Sequence, residues 1–551
     1  MPPQTITSVW MFTREYGHLA GAGGVKDVVS QLSVTLARWK ARKVSVVLPC
    51  YGFMNPEQEG FSQLADPLAP DRALSFDVAM DYTAQERVER VNIWYRVLDR
   101  VHVYLVEAER FLEKKGVYTY TRQESAEQIW KVQGSGHIDY FAMNILLQKA
   151  GLELIMLLGE KPQIIHCHDG HTAVLPALIR TCSGYRSYYR NTAALVTIHN
   201  AGLGYHQDVF DLPFVRAVTG LPWQVIDDSC LGQSFDPFLA AAPYAVISTV
   251  SENYARELQH TEADALTGWL GHRLLEMGVI IEGITNGIDP SAFDPAAEQT
   301  GLAAPFAPDD ETDNLAGKQF CKMHLLQELS QSSAADRPNC SGFLTDNSSS
   351  ALYTFIGRLS EQKGVDILSK AIPLFLDSVP NAAFVCLGSG SERMETDLAA
   401  LTVDRRYRGR VCFLQEYNPA LAREVYAAGD FFIIPSRYEP CGLTDFIAQL
   451  YGSLPIVHHI GGLVKVVDNE TGFAYPDNSP ERLSEALQRA HKRYQDKGAI
   501  RAMQIAAVQK IKRQHSWERV MKSYVALYKK CWQVHLGYLD ALASSSVTYD
   551  R

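Results

Sequence analysis

Short, near-continuous apolar runs recur along the chain and constrain its fold more than any other feature. The clearest lie at 43–49, 101–107, 163–168, 193–198, 244–250, 279–284, 352–357, 382–388, 411–414, 431–435 and 454–458. Each is roughly five residues of unbroken apolar character, the pattern of a strand covered on both faces. Amphipathic stretches at 26–39, 139–158, 365–378 and 394–401 separate them. Strand and helix patterns alternating at this spacing predict doubly wound parallel sheets. The alternation breaks once, around 298–350, where Pro305-Phe-Ala-Pro308-Asp-Asp, a helix-like patch and then Asn339 to Asn347-Ser-Ser-Ser350 read as linker and surface loop. The run 516–533 follows the last strand and is expected to pack back across the hinge.

The 551 residues allow about three domains, or two large ones. The expected division is an N-terminal Rossmann-like domain over 1–297, a linker over 298–350, a C-terminal Rossmann-like domain over 351–515, and a returning helix with its tail over 516–551. A hydrophobic share of 46% against 21% charged residues supports a large core and excludes wholesale disorder. A net charge of −10 argues against nucleic acid or a polybasic membrane surface as partner. The ten cysteines are scattered without a CxxC pair, as buried reduced thiols are. No apolar stretch reaches the ~20 residues of a membrane span. Met1–Thr7 is too short for a signal or transit peptide ahead of the first strand. A cytoplasmic enzyme is therefore expected.

Chemistry-bearing residues collect at the ends of these strands. Gly21-Ala-Gly23-Gly24 lies between a strand-like Ser8–Thr13 and a helix, where glycines let backbone approach an anion; a tight turn is the plainer alternative. It is no dinucleotide fingerprint, because Lys26 stands where GxGxxG needs its third glycine. His166-Cys-His168-Asp169-Gly-His171 invites a metal site, a ligand contact or packing, but its aspartate is one place early for HxHxDH. Further strands end in His199-Asn200 and in Asn286-Gly287-Ile-Asp289. Ligands of open α/β sheets bind beyond the carboxyl ends of strands, so these ends together outweigh any one of them. In the second half, Gly357-Arg358-Leu-Ser-Glu-Gln-Lys363-Gly364 sets two cations five residues apart at a strand-to-helix junction. They either converge on a diphosphate or stay solvated. Pro435-Ser-Arg-Tyr-Glu439-Pro440-Cys441-Gly442-Leu443-Thr444 and then Gly461-Gly462-Leu463 provide loops with free N–H groups.

Taken in order, Gly-Arg-Leu-x-x-Gln-Lys-Gly, Pro-Ser-Arg-Tyr-Glu-Pro-Cys-Gly-Leu and Leu-Pro-Ile-Val…Gly-Gly-Leu closely resemble bacterial glycogen synthases and plant starch synthases. Gly23-Gly24-Val25…Asp27, His168-Asp169-x-His171, Thr197-x-His199-Asn200 and Asn286-Gly287-Ile-Asp289 extend the resemblance over roughly residues 8–535. It implies a GT-B fold, two Rossmann-like domains facing a central cleft. It also implies retaining transfer of glucose from ADP-glucose, with UDP-glucose as the alternative, to an α-1,4-glucan, without cofactor or metal. By this resemblance Arg358 and Lys363 hold the donor diphosphate, and Cys441, Gly442, Leu443 and Thr444 offer it N–H groups and a hydroxyl. Glu439 holds the glucosyl hydroxyls and favours the oxocarbenium-like state, and His199 lies near the sugar. Asp169, Asn286, Gly23 and Gly24 share that rim, Gly388 belongs to a nucleotide loop, and Tyr417 stacks on the base.

The chain departs from the family in several places. The family's Lys-Thr-Gly-Gly-Leu begins here with Gly21 and Ala22, and its His-Asp-Trp-His reads His168-Asp169-Gly170-His171. Its Asp-Thr-Val after Gly-Gly-Leu reads Lys465-Val466-Val467. These changes fall on acceptor and donor-selectivity surfaces. A same-fold alternative is a GT-B enzyme with another acceptor, such as a small sugar; alternatives from other classes are a catalytically silent glucan-binding relative and, from the histidine cluster, a metal hydrolase.

Overall fold

A computed structural model describes residues 5–297, 301–331, 337, 339–345, 347–416 and 418–547. The chain forms two compact units. One runs to Gly287 and resumes at Trp517; the other is continuous from Ile288 to Ser516.

The main sheet of the first unit has the strand order Glu282–Gly283, Val246–Thr249, Ala193–Ile198, Ile164–His168, Ser8–Phe12, Lys43–Pro49, Val101–Glu107, Val88–Leu98 and Ser62–Gln63. Pairing is parallel from Glu282–Gly283 as far as Val101–Glu107. The unbroken apolar runs are explained by this: Ala193–Ile198 and Ile164–His168 are buried at every position. Beyond Val101–Glu107 the sheet turns antiparallel through Val88–Leu98, which also pairs with Ser75–Ala79. Those two strands alternate in burial and so lack the continuous apolar signal of the others. Helix Tyr140–Leu157 is long and apolar enough to cross a membrane by length and composition, but 72% of it is buried and it packs on the sheet. Helix Trp517–Val547 packs on Ala193–Ile198 and on helix Val25–Arg38. Tyr528 reaches His166 (3.1 Å) and His535 reaches Arg180 (3.1 Å).

The second unit has strand order Cys340–Leu344, Arg410–Leu414, Ala382–Leu387, Ala351–Ile356, Phe431–Ile434, Leu454–His458 and Phe473–Tyr475. All pairs are parallel except the first. Tyr353 stacks between Phe384 and Phe431, each 5.1 Å away, beneath helices Val365–Leu376 and Pro480–Tyr494. Leu325, Val385 and Val425 pack the opposite face. Both faces are covered, as doubly wound topology requires.

The expected linker over 298–350 is corrected here. Its described part contributes helix Ala316–Glu328 and edge strand Cys340–Leu344 to the second unit. The helical patch reads as linker rather than core because two of its buried residues are lysines. Lys318 Nζ donates to the carbonyls of Ala427 (2.8 Å), Gly429 (2.8 Å) and Tyr451 (2.9 Å), and Lys322 pairs with Asp430 at 2.6 Å. Buried cations survive only when so satisfied.

Candidate functional site

In the first unit, adjacent parallel strands deliver their ends to one place. Thr197 lies opposite His168 in the register, so Asp169 and His199 follow side by side. Asp169 takes a left-handed backbone conformation (φ 60°). This turns its Oδ1 to accept from the N–H groups of His199 (2.7 Å) and Asn200 (3.3 Å). Burial pushes the Asp169 carboxyl up to about 7 against the pull of those donors. Burial pushes His199 down to about 3, so its imidazole is neutral, and its Nε2 lies 2.9 Å from His168 Nδ1. His168 is likewise pushed well below the ordinary range by burial. Among the described residues no group of three or more His, Cys, Asp or Glu is placed to hold a metal ion. The histidine cluster is instead a hydrogen-bonded neutral stack. Asn286 is buried at the neighbouring strand end, with its side-chain oxygen unpartnered.

Sequence reasoning missed Glu15, the residue around which the glycine loop is built. Its Oε2 accepts from the N–H groups of Ala22 (2.8 Å) and Gly23 (3.0 Å), and its Oε1 from the Tyr118 hydroxyl (2.6 Å). The loop's donors therefore hold an internal carboxylate. The only signal was position: an acid just past a strand end, before the glycines. Gly23 and Gly24 are exposed, and open space surrounds the place of a Gly23 Cβ. A Cβ on Gly21 would lie 2.1 Å from Lys26 Cδ, so the Lys26 side chain crosses Gly21, and its ammonium meets Asp27 at 3.0 Å. Gly170 is required by close approach: a Cβ there would meet the His206 carbonyl at 2.3 Å.

In the second unit, Lys363 Nζ lies 2.6 Å from Glu439 Oε2, which also accepts from the Ser436 hydroxyl at 3.0 Å. Arg358 is exposed and makes no ion pair or hydrogen bond among the described residues. The two cations of the Gly-Arg-Leu segment therefore do different things: one holds a carboxylate and the other is free. Gly364 takes a positive φ (68°), and a Cβ on it would strike the Pro435 carbonyl at 1.9 Å. That contact brings the Lys363 turn against the Glu439 loop. Gly388 passes so close to the Gly357 carbonyl (1.9 Å from a Cβ) that only glycine fits, and Leu359 N–H donates to the Ser389 carbonyl at 2.9 Å. Tyr417 lies outside the described residues.

The Cys441–Thr444 loop is held from behind by Lys465. Its buried ammonium donates to the carbonyls of Cys441, Gly442 (2.7 Å) and Gly462 (3.1 Å), and stands 3.0 Å from Asp445 Oδ1. In a trans peptide the C=O and the next N–H point oppositely. Turning the carbonyls of 441 and 442 onto Lys465 therefore turns the N–H groups of Gly442 and Leu443 away from it. Asp445 is fully buried, and desolvation pushes it up to about 6 despite the Lys465 charge.

The comparisons agree with this architecture. The family model described as starch synthase catalytic domain matches residues 8–272, and that for glycosyl transferases group 1 matches 351–493. The glycogen synthase of Anaeromyxobacter sp. (strain Fw109-5) is 31% identical over 520 residues, covering 92% of this chain and 96% of that one. Glycogen synthase 1 of Geobacter metallireducens is 30% identical, covering 96% and 97%. Among solved structures, the catalytic domain of starch synthase IV from Arabidopsis thaliana, bound to ADP and acarbose, matches with a TM-score of 0.75 and 26% identity. The match covers 96% of this chain and all of that one. Two parallel-sheet α/β units of the GT-B kind, matched over more than nine-tenths of the chain by glycogen synthases, place it in the glycogen and starch synthase family of glycosyltransferases.

Proposed function

We propose that the protein transfers glucose, with retention, from ADP-glucose to the non-reducing end of an α-1,4-glucan. The observation that carries this reading is the Lys363–Glu439 pair set beside a loop whose N–H groups are turned outward by Lys465. Fixed cations and aimed N–H groups stabilise charge on a departing diphosphate, and a carboxylate stabilises a developing glycosyl cation. The glucosyl C1–O bond breaks with its electron pair going to the nucleoside diphosphate, which Arg358, Lys363 and the Gly442–Thr444 donors receive. The acceptor hydroxyl attacks C1 from the face the diphosphate leaves, and its proton passes to a phosphate oxygen. Glu439, held in place by Lys363 and Ser436, faces the oxocarbenium-like sugar. His199, kept neutral by burial, and Asp169 and Asn286 bind sugar hydroxyls, while Gly23, Gly24 and Gly388 let backbone approach the donor. Tyr417 is assigned to the base.

A second reading is a glucan-binding relative with little turnover. It is favoured by the occupation of the glycine-loop donors by Glu15 and by glycine at position 21. The test is transfer of labelled glucose from ADP-glucose and from UDP-glucose to glycogen, with EDTA present. Chain growth from ADP-glucose supports the first reading, and growth from UDP-glucose alone corrects its donor. Glycogen binding without transfer from either sugar nucleotide supports the second.

A further inference from the structure

The feature not absorbed by the transfer chemistry is Trp269. It has a left-handed backbone (φ 69°, ψ 28°), directly after Gly268, which is also left-handed (φ 66°). A bulky residue in that conformation is strained, and such strain persists where the surroundings over-determine it, commonly at ligand-binding positions. Yet the side chain gains little packing in return, because 46% of Trp269 is exposed.

The surroundings do over-determine it. Asp264, fully buried, accepts from the N–H groups of Gly271 (3.1 Å) and His272 (2.8 Å) and from His272 Nδ1 (2.8 Å). Its main-chain carbonyl accepts the N–H of Trp269 at 3.0 Å. The His272 ring braces the indole edge-on, with centroids 5.0 Å apart. The aromatic is thus presented to solvent from a rigid base.

Two further apolar side chains are exposed: Leu266 on the same turn (52%) and, from a distant loop, Leu203 (63%). Leu203 touches this turn directly, its Cδ2 only 2.9 Å from the place of a Gly268 Cβ. It belongs to the loop that leaves the sugar-side strand end. His199 is four residues earlier, at most ~14 Å of extended chain. That loop is fixed in turn by the close approach of His206 to Gly170.

We propose that Trp269, with Leu203 and Leu266, forms a stacking platform for the acceptor α-glucan, a subsite beyond the sugar site at His199. A pyranose ring presents an uncharged C–H face, which an amphipathic, rigid aromatic surface matches, and the platform continues the acceptor side of the site without a break in the chain. The inference rests on the acceptor assigned above.

The test reads glucan binding without turnover: retardation of the full-length protein in a native gel containing glycogen, alongside KM for glycogen and for maltotriose. Trp269→Ala is expected to weaken retardation and raise the KM for glycogen about 3- to 10-fold, leaving the KM for maltotriose and for the donor unchanged. Trp269→Tyr should retain most of the binding. Trp269→Gly, which removes the backbone strain, should lose binding while keeping the wild-type Tm within ~2 °C. Unchanged retardation in Trp269→Ala overturns the platform. So does a loss of binding shared equally by maltotriose, or by Trp269→Tyr, or a large fall in Tm for Trp269→Gly, any of which makes Trp269 structural. A wild-type protein that is retarded by glycogen but transfers no glucose leaves the platform standing and removes the proposed function instead.

Discussion

Lys363 and Glu439 sit on different βα turns of the same unit, and their charged atoms are 2.6 Å apart. Lys363 thereby fixes the Glu439 carboxyl in place, while its ammonium retains donors to spare for an anion. Removing either leaves the other without this contact.

Replacing Lys363 with alanine is expected to lower kcat/KM by ~10²–10³, or about 2–4 kcal/mol of transition-state stabilisation. The loss exceeds that of a phosphate contact alone, because Glu439 is left without its cation. Steady-state kinetics with ADP-glucose and glycogen check this. Near-normal turnover would remove Lys363 from the clamp.

Glu439→Gln keeps the shape and the Ser436 contact but removes the charge. The expected result is a fall in kcat of about 10²-fold with the donor KM little changed, the pattern of an interaction made chiefly in the transition state. A raised donor KM at unchanged kcat would make Glu439 a binding group only.

Lys465→Met strands a buried carboxylate and three carbonyls. We expect a loss of ~3–5 kcal/mol, since breaking a buried pair leaves an uncompensated group. Thermal unfolding should show it as a Tm lowered by roughly 10 °C. Adding Asp445→Asn should restore part of that stability. A wild-type Tm for the single variant would show that the carbonyls find other donors.

Acid should destabilise the first unit. Burial holds His166, His168, His171 and His199 neutral in the folded state, whereas unfolded histidine titrates near ~6.5. These folded values are depressed, so the stability they represent is complete above pH ~6.5 and is lost as pH falls below it. Asp169, pushed up to about 7, acts oppositely, its contribution being present at low pH and lost as pH rises towards 7. Four histidines outweigh one aspartate, and each net proton is worth ~1.4 kcal/mol per pH unit. Denaturant midpoints at pH 7.5 and 5.5 should differ clearly, with the lower value at pH 5.5. Equal midpoints would mean the histidines are already charged or solvated.

The parallel core was legible because its strands are buried at every position, so hydrophobicity alone marks them. Val101–Glu107 and Lys43–Pro49 fall where the apolar runs lie. The antiparallel flank through Val88–Leu98 was not, because alternating burial there dilutes the signal. Helix Ala316–Glu328 was legible as a helical patch, but its place in the core was not, since Lys318 and Lys322 are interior residues that composition assigns to the surface. At the site, strand-end motifs pointed to Asp169 and His199, which the register then made neighbours. What no motif conveys is pairing across distant loops. That Glu15 holds the glycine turn, and that Lys465 faces Asp445, follows from three-dimensional approach alone.

The first unit is assembled from two stretches of chain, with the whole of Ile288–Ser516 lying between them in sequence. During synthesis this imposes an order. The second unit is continuous and has every strand it needs once Ser516 has emerged. The first must wait, with His166 and the strand Ala193–Ile198 uncovered, until the segment bearing Tyr528 and His535 leaves the ribosome. Its buried His166 is thus covered in part by a helix made after the other unit is complete, and shortening the chain before Tyr528 would leave that face of the sheet exposed to the cell's quality control.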